Sequence, residues 1–327
     1  MTQEVTFARP ELYTSGRHVL DCTEYLICSS IQSSGLPFHW LFSDSWGFHY
    51  RSLRDISALA PSESPPFWTN LERLYGMRRI EHEGRTLEAL AEEVVIGRGS
   101  TIVLTGDIWH IPWSTICYRE THNNHDILIT GYNPSLRELF VVDFVPEHAG
   151  WVAFDVIDAF FSGGIHLNGR TYAFEITAPS LRAEEETLIR QLGMARTKMD
   201  AAVSGLERMY ADLALEQDCT GLIEAWWDPM RPIVAYRESF LEFVLFMQHR
   251  ALPGALVLAQ AGTADTLANL ASKWFSLRNN LKKLQMKGAV SPQHILSRLA
   301  QIIQLEKQAL ADLTELLGHL SAKEATP

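Results

Sequence analysis

Apolar residues in the first 180 positions fall in short runs broken by turn formers, whereas beyond Pro179 they recur at helical spacing over long stretches. The first run extends from Tyr25 to Ile31. Asp21 precedes it as a natural N-cap, Thr23 and Glu24 suit a first turn, and Gly35 supplies a stop, so a buried helix beginning at Cys22 is expected. Short helices are expected over 52–60 and 67–75, separated by Pro61, Pro65 and Pro66. Another should run from Thr86 to Val95, opening with a Thr and Glu arranged like a capping box and ending at Gly97. Thr101–Thr105 has the character of a buried strand, and Gly47–Leu53 that of a short one. His125–Tyr132 and Glu138–Asp143, joined by Asn133-Pro134-Ser135, predict a hairpin. Residues 151–163 are expected as a short helix and Arg170–Thr177 as a closing strand.

Past Pro179 the strand pattern stops. Leu181–Leu215, Leu222–Arg250, Ala264–Lys287 and Pro292–Leu320 all have helical periodicity, with breaks at Gly221, Pro253-Gly254 and Gly288. Ile295, Leu299, Ile302, Leu305, Leu313 and Leu316 form one apolar stripe, the core face of a bundle. The expected architecture is therefore an α+β domain over residues 1–180 followed by an all-α helical-bundle domain over 181–327.

Composition changes this picture in two respects. A chain of 327 residues with 46% hydrophobic positions can fill two cores, and no apolar run approaches the roughly 20 residues needed to span a bilayer. Its net charge of -11 is concentrated in the first 180 residues, which hold twelve arginines and no lysine against 22 carboxylates. Nucleic acid and membrane partners are thereby disfavoured. The four cysteines, Cys22, Cys28, Cys117 and Cys219, show no C-x-x-C spacing, which points to a reducing, cytoplasmic setting. A basic cluster stands out late in the chain, at Lys273, Arg278, Lys282, Lys283, Lys287 and Arg298, and its plain reading is a solvated helix face.

Candidate chemistry gathers at three places. Cys22 occupies the first turn of its helix, where unpaired N–H groups favour a thiolate, whereas Cys28 lies further along on another face. His125 begins one arm of the hairpin and Asp143 ends the other, so antiparallel pairing brings both to the same end of the sheet. The carboxylate could then fix the imidazole tautomer that takes the thiol proton. His110 and His122 compete with His125 for that role, and a metal site built from these three histidines with Asp126 is the remaining alternative. Trp46, Phe48, Tyr50, Trp109 and Tyr132 are candidates for a substrate-pocket wall, although for Trp46, Phe48 and Tyr50 packing in a core around the first helix is the plainer reading.

The order of these features resembles a known group. An Asp-Cys helix closing at Gly35, the stretch Trp46-Gly47-Phe48-His49-Tyr50, His125 ahead of Ile129-Thr130-Gly131-Tyr132, and Asp143 on the next strand resemble the papain-like, C39-type cysteine peptidases. They are more similar still to the N-terminal domain of the butirosin-biosynthesis protein H family, over roughly residues 15–180. That resemblance implies a papain-like domain and acyl transfer rather than proteolysis. Cys22 would be the nucleophile, His125 the base and then the acid, and Asp143 the orienter. The donor would be an acyl or peptidyl carrier protein bearing its own phosphopantetheine, with no cofactor resident in this chain. The acceptor would be an amine of a small molecule in natural-product assembly. The position comparable to the oxyanion-hole glutamine of the peptidases is Gly16, which leaves the Cys22 N–H and a second donor to form the hole. Arg278, Lys282, Lys283 and Lys287 would dock the acidic carrier. A hydrolase using the same acyl-enzyme, and a non-catalytic binding protein retaining the fold, are the alternatives.

Overall fold

The computed structural model describes residues 7, 9–14, 20–181, 185–219, 221–287 and 292–324, of which 185, 223, 284–287, 323 and 324 are described by their backbone alone. The first part of the chain is mixed: α1 (Cys22–Ser33), β1 (His49–Ser52), β2 (Asp55–Ser57), α2 (Pro66–Tyr75), β3 (Arg79–Glu81) and α3 (Leu87–Leu90), which runs on as a π-helical turn over Ala91–Ile96. There follow β4 (Thr101–Asp107), β5 (Asn124–Asn133), β6 (Glu138–Phe144), β7 (Glu147–Ala153), α4 (Phe154–Asn168) and β8 (Tyr172–Ile176). The remainder is helical among the described residues: α5 (Glu185–Leu213), α6 (Leu222–Trp227), α7 (Met230–His249), α8 (Ala255–Gln260), α9 (Thr263–Lys287) and α10 (Pro292–Glu324). No helix among the described residues is long and apolar enough to cross a membrane.

The chain divides into two compact units. The described residues of Met1–Glu11, Leu20–Phe38 and Leu71–Arg182 form one, and those of Leu12–Val19, His39–Asn70 and Ala183–Pro327 the other. This partition differs from a single cut at residue 180 because the segment from His39 to Asn70 belongs with the helices.

In the first unit, six strands form one antiparallel sheet in the order β3-β8-β4-β5-β6-β7. The helix α1 starts where expected. The Asp21 carboxylate accepts the Glu24 N–H at 2.8 Å, and the Glu24 side chain accepts the Asp21 N–H at 3.1 Å, a closed capping box that fixes the first turn. Leu26, Ile27, Cys28 and Ile31 are buried, and the helix packs on β5 and β6. On β4, Gly106 pairs with His125 of β5. A Cβ there would come within 2.4 Å of the Phe160 carbonyl oxygen, so glycine is what lets α4 lie close to the strand beside His125. Ile102, Leu104, Ile127, Ile129, Val141, Ile157 and Phe160 fill the core between sheet and helices.

Two expectations of helix are corrected. Residues 52–57 belong to the β1–β2 hairpin, with Ser52 opposite Asp55, and residues 151–153 complete the edge strand β7 before α4 begins at Phe154. Local apolar content favoured a helix in both places, but cross-strand pairing takes the backbone hydrogen bonds instead.

The second unit is built around buried polar contacts as well as apolar ones. Arg237 and Glu306 are both fully buried; Arg237 Nη2 meets Glu306 Oε1 at 2.7 Å, Trp274 Nε1 donates to the same oxygen at 3.0 Å, and Arg237 Nη1 donates to the Gly47 carbonyl. The Arg237 guanidinium also lies 4.4 Å from the Trp46 ring centroid, a cation–π contact. Asp44 accepts from Lys198 at 2.7 Å and from Asn70 at 2.6 Å, and Gln191 links Ser43 to Asn70. Glu242 accepts the backbone N–H groups of Tyr13 and Thr14, at 2.6 and 2.8 Å. These charge-assisted bonds hold residues 13–14 and 39–70 to the helices of this unit.

Candidate active site

The site forms where the capped end of α1 meets the start of β5. Cys22 is the first residue of α1. Of the first-turn N–H groups, that of Glu24 goes to the Asp21 carboxylate and that of Tyr25 to the Asp21 carbonyl, so those of Cys22 and Thr23 are the two without intrahelical acceptors. Backbone N–H groups without acceptors at the start of a helix favour an anion there.

His125, the second residue of β5, is 4% exposed and lines one cleft with Cys22. Its Nε2 meets Asp143 Oδ2 at 2.8 Å, which leaves Nδ1 for Cys22. Burial works against a charged imidazole here. The hydrogen bonds to Asp143 and then to Cys22, with the charges of both, outweigh it and push the His125 pKa up to about 10. At neutral pH the ring is an imidazolium between a carboxylate and a sulfur. A charged imidazole beside a cysteine sulfur is the general arrangement in which a thiol serves as a nucleophile.

Asp143 is 1% exposed and is held by three donors: His125 Nε2, Trp113 Nε1 at 2.9 Å on the same oxygen, and the Val145 N–H at 3.1 Å on Oδ1. Trp113 stacks on His148 with centroids 4.1 Å apart, and His148 is the cross-strand partner of Asp143 on β7. Burial pushes the His148 pKa down, so at neutral pH a neutral ring lies beside the indole. Trp113 was not read from the sequence as part of the site. Its only signal was membership of a loop rich in tryptophan and histidine.

Asp126 supplies the second unforeseen contact. Its Oδ2 accepts from Thr23 Oγ1 and its Oδ1 from Thr105 Oγ1, the latter at 2.5 Å. The residue after the nucleophile is thus tied to the residue after the base. A cleft of about 570 Å³ opens here, and Cys22, His125, Asp126 and Thr105 are among the residues that line it. Asn124, Asn168, Arg79, Glu81, Arg170 and Tyr172 form the rest of its wall.

The other histidines have different partners. His122 Nδ1 lies 2.6 Å from Asp107 Oδ2 and its ring stacks on Trp109 at 4.3 Å. Burial works to raise the Asp107 pKa, but hydrogen bonds from His122 and from the Trp109 and Asn123 N–H groups hold it below the usual carboxylate range. The His110 ring lies against Gly163. His110, His122, His125 and Asp126 therefore do not converge, and among the described residues no three His, Cys, Asp or Glu side chains are grouped to hold a metal ion.

The aromatic residues expected to wall a pocket lie elsewhere. Trp46, Phe48 and Tyr50 are buried in the second unit, against Phe240, against Trp274, and with a hydroxyl bonded to Asp212. Tyr132 is buried beside Phe154, and Trp109 is engaged with His122. None of the five lines the cleft at Cys22. In the basic cluster, Arg278 donates to the Trp227 carbonyl at 2.9 Å with its guanidinium carbon 3.8 Å from that ring's centroid, and Lys282 Nζ lies 5.6 Å from it. Lys283 is exposed, and the Lys287 side chain and Gly16 lie outside the described residues. Cys28 and Cys219 are fully buried, and burial followed by the charges of Glu216 and Asp218 pushes the Cys219 thiol up.

The Cys22, His125 and Asp143 arrangement is that of a cysteine-dependent catalytic centre. No family model matches the chain, and no curated protein matches it.

Proposed function

We propose that this protein is a papain-like cysteine acyltransferase that takes an acyl group from a carrier-protein thioester and passes it to an amine. The observation that carries the reading is His125, buried, hydrogen-bonded to Asp143 and lining one cleft with a cysteine at a helix N-terminus. The Cys22 thiolate attacks the donor carbonyl, and the N–H groups of Cys22 and Thr23 are the nearest candidates to stabilise the resulting oxyanion. The C–S bond to the phosphopantetheine sulfur then breaks, and His125 gives its proton to that departing thiolate. An amine attacks the Cys22 thioester next. His125 accepts the proton lost by the amine nitrogen as the amide forms, and Cys22 leaves as thiolate, which restores the ion pair. Thioester exchange is close to isoenergetic, so positioning and stabilisation of the oxyanion are what the protein has to supply. The phosphopantetheine belongs to the carrier.

Hydrolysis is a second reading, favoured by the polar wall of the cleft, which suits ordered water. It differs only in what attacks the acyl-enzyme. The test is to incubate the full chain with acyl-pantetheine and record its intact mass. A gain equal to the acyl group, absent from Cys22→Ala, is expected; adding amines then gives amide for a transferase and free acid for a hydrolase. An unchanged mass would indicate a binding protein instead.

A further inference from the structure

The two outer strands of the sheet in the first unit are built differently. At one end, β3 has only three residues, Arg79-Ile80-Glu81, with its arginine and glutamate paired at 3.1 Å. Short, charged edge strands do not invite further pairing. At the other end, β7 runs seven residues, Glu147–Ala153, pairs with β6 in one unbroken register, and carries no lysine, arginine or proline. Among the described residues, no strand pairs with its outer side. The Phe154 N–H donates to the Arg137 carbonyl in the register of this ladder, so the even-numbered residues of β7 turn their backbone groups toward β6. Glu147, Ala149, Trp151 and Ala153 turn theirs outward, and these are the exposed residues of the strand.

We infer that this edge pairs antiparallel with β7 of a second copy of the chain, about a two-fold axis at Gly150, so that the sheet of one copy continues into that of the other. The strand is self-complementary in that register. Ala149 falls opposite Trp151 and Glu147 opposite Ala153, so the large ring meets a methyl group and the strand's one carboxylate meets no like charge. His148 falls opposite Val152, and Gly150 opposite itself, where no side chains compete for the axis. The outward residues supply the hydrogen-bonded pairs of the new ladder, Ala149 with Trp151 and Glu147 with Ala153, and each pair exchanges both of its N–H···O bonds. A register centred on Trp151 would instead set two indoles against each other and carry Glu147 and His148 past the end of the facing strand. Contact of one patch with itself about a two-fold axis is the commonest way in which identical chains associate.

Sedimentation of the full chain over about a hundredfold range of concentration should show monomer passing to dimer. Ala149→Pro removes an outward N–H and leaves the bonds to β6, which the even-numbered residues make; it should weaken the dimer at least about tenfold. Oxidation reads the register. In Gly150→Cys the two thiols stand on directly opposed residues of a non-hydrogen-bonded pair, whose Cα atoms are about 4.5 Å apart and within disulfide reach. A Cβ at Gly150 has room, its nearest neighbours being His148 ring atoms at 3.8 Å. Gly150→Cys should therefore cross-link to a dimer well beyond the wild-type chain oxidised alongside it, and Ala149→Cys, whose two copies are out of register, should not. A wild-type chain that stays monomeric throughout would overturn the inference. So would a dimer that survives Ala149→Pro unchanged, or cross-linking of Ala149→Cys in preference to Gly150→Cys. Should Ala149→Pro fail to fold, wild-type sedimentation and the two cysteine variants decide without it.

Discussion

His125 reaches Asp143 diagonally across the β5–β6 ladder. The register sets Leu128 opposite Val142; Asp143 lies one residue beyond that pair on its strand and His125 three residues beyond it on the other, yet Nε2 and Oδ2 are 2.8 Å apart. Diagonal neighbours on one sheet face are within reach of long side chains, and the diagonal offset leaves the other imidazole nitrogen for Cys22. Trp113 and the Val145 N–H hold the carboxylate in that orientation.

The first expected outcome concerns pH. The His125 pKa of about 10 is above the ordinary histidine value near 6.5, so the pairing stabilises the fold fully below about pH 6.5 and that contribution is lost as pH rises through about 10. A ¹³C- or ¹H-detected titration of the His125 Cε1–H should show a strongly alkaline midpoint. Asp143→Asn should move it to lower pH and bring the alkaline limb of turnover down with it. A midpoint near 6.5 in the wild-type protein would mean that no ion pair forms.

Cys22→Ala and His125→Ala should each reduce acylation by more than about a hundredfold, because nucleophile and base act as one unit. Cys28→Ala should keep most of it. Cys28 is fully buried within α1, packed rather than presented to the cleft. Turnover surviving in Cys22→Ala would remove the basis of the catalytic reading.

Asp126 ties Thr23 to Thr105 and so fixes where Cys22 stands relative to His125. Asp126→Ala should lower kcat by about tenfold or more, since small misplacement of reacting groups is costly in rate. Asp126→Asn, which keeps one carbonyl acceptor, should recover part of that loss. The pH dependence of iodoacetamide labelling at Cys22 separates positioning from simple loss of stability: it should shift in Asp126→Ala and remain near wild type in a variant destabilised elsewhere.

Much of this site is legible in the sequence because its parts are local. The Asp21–Glu24 capping box, the stop at Gly35 and the Asn133-Pro134-Ser135 turn each depend on residues a few positions apart, and they place Cys22, His125 and Asp143. Trp113 bonds to Asp143 across 30 positions and Thr23 to Asp126 across 103, so no local pattern announces them. The strand β7 is an edge strand of alternating half-buried and exposed residues that includes Ala149 and Gly150, which weakens its period-2 signal. The β1–β2 turn at Leu53-Arg54 lacks the Asn-Gly or Asp-Gly of a recognisable hairpin. Trp46, Phe48 and Tyr50 illustrate a different limit. Aromatic density shows that a core is being filled, and the choice of core is tertiary information.

In the second unit, Arg237 and Glu306 form a buried ion pair whose partners have no water to fall back on. Arg237→Met should destabilise by about 3–5 kcal/mol, because it leaves the Glu306 carboxylate buried and uncompensated. Glu306→Gln in the same chain should restore part of the loss, since Trp274 Nε1 can still donate to a neutral amide oxygen. Urea unfolding followed by tryptophan fluorescence gives both values, and equal stability of Arg237→Met and wild type would show that the pair contributes nothing net.

The last expected outcome concerns the carrier. Carrier proteins are generally acidic, and against a chain of net charge -11 the exposed cations of α9 are where one could be steered. Arg278 is held by the Trp227 carbonyl and ring, so replacing it would disturb packing as well as charge. Lys282 lies over the same ring but is exposed, and Lys283 is exposed beside it. Lys283→Glu, alone or with Lys282→Glu, is therefore the cleaner test. If this face docks the donor, the apparent KM for carrier-bound acyl groups should rise several-fold and lose salt sensitivity, while acyl-pantetheine is turned over as before, because charge at a rim acts on encounter rather than on chemistry. Equal loss with both donors would point to damage to the helices, and no loss with either would leave these lysines as an ordinary solvated face.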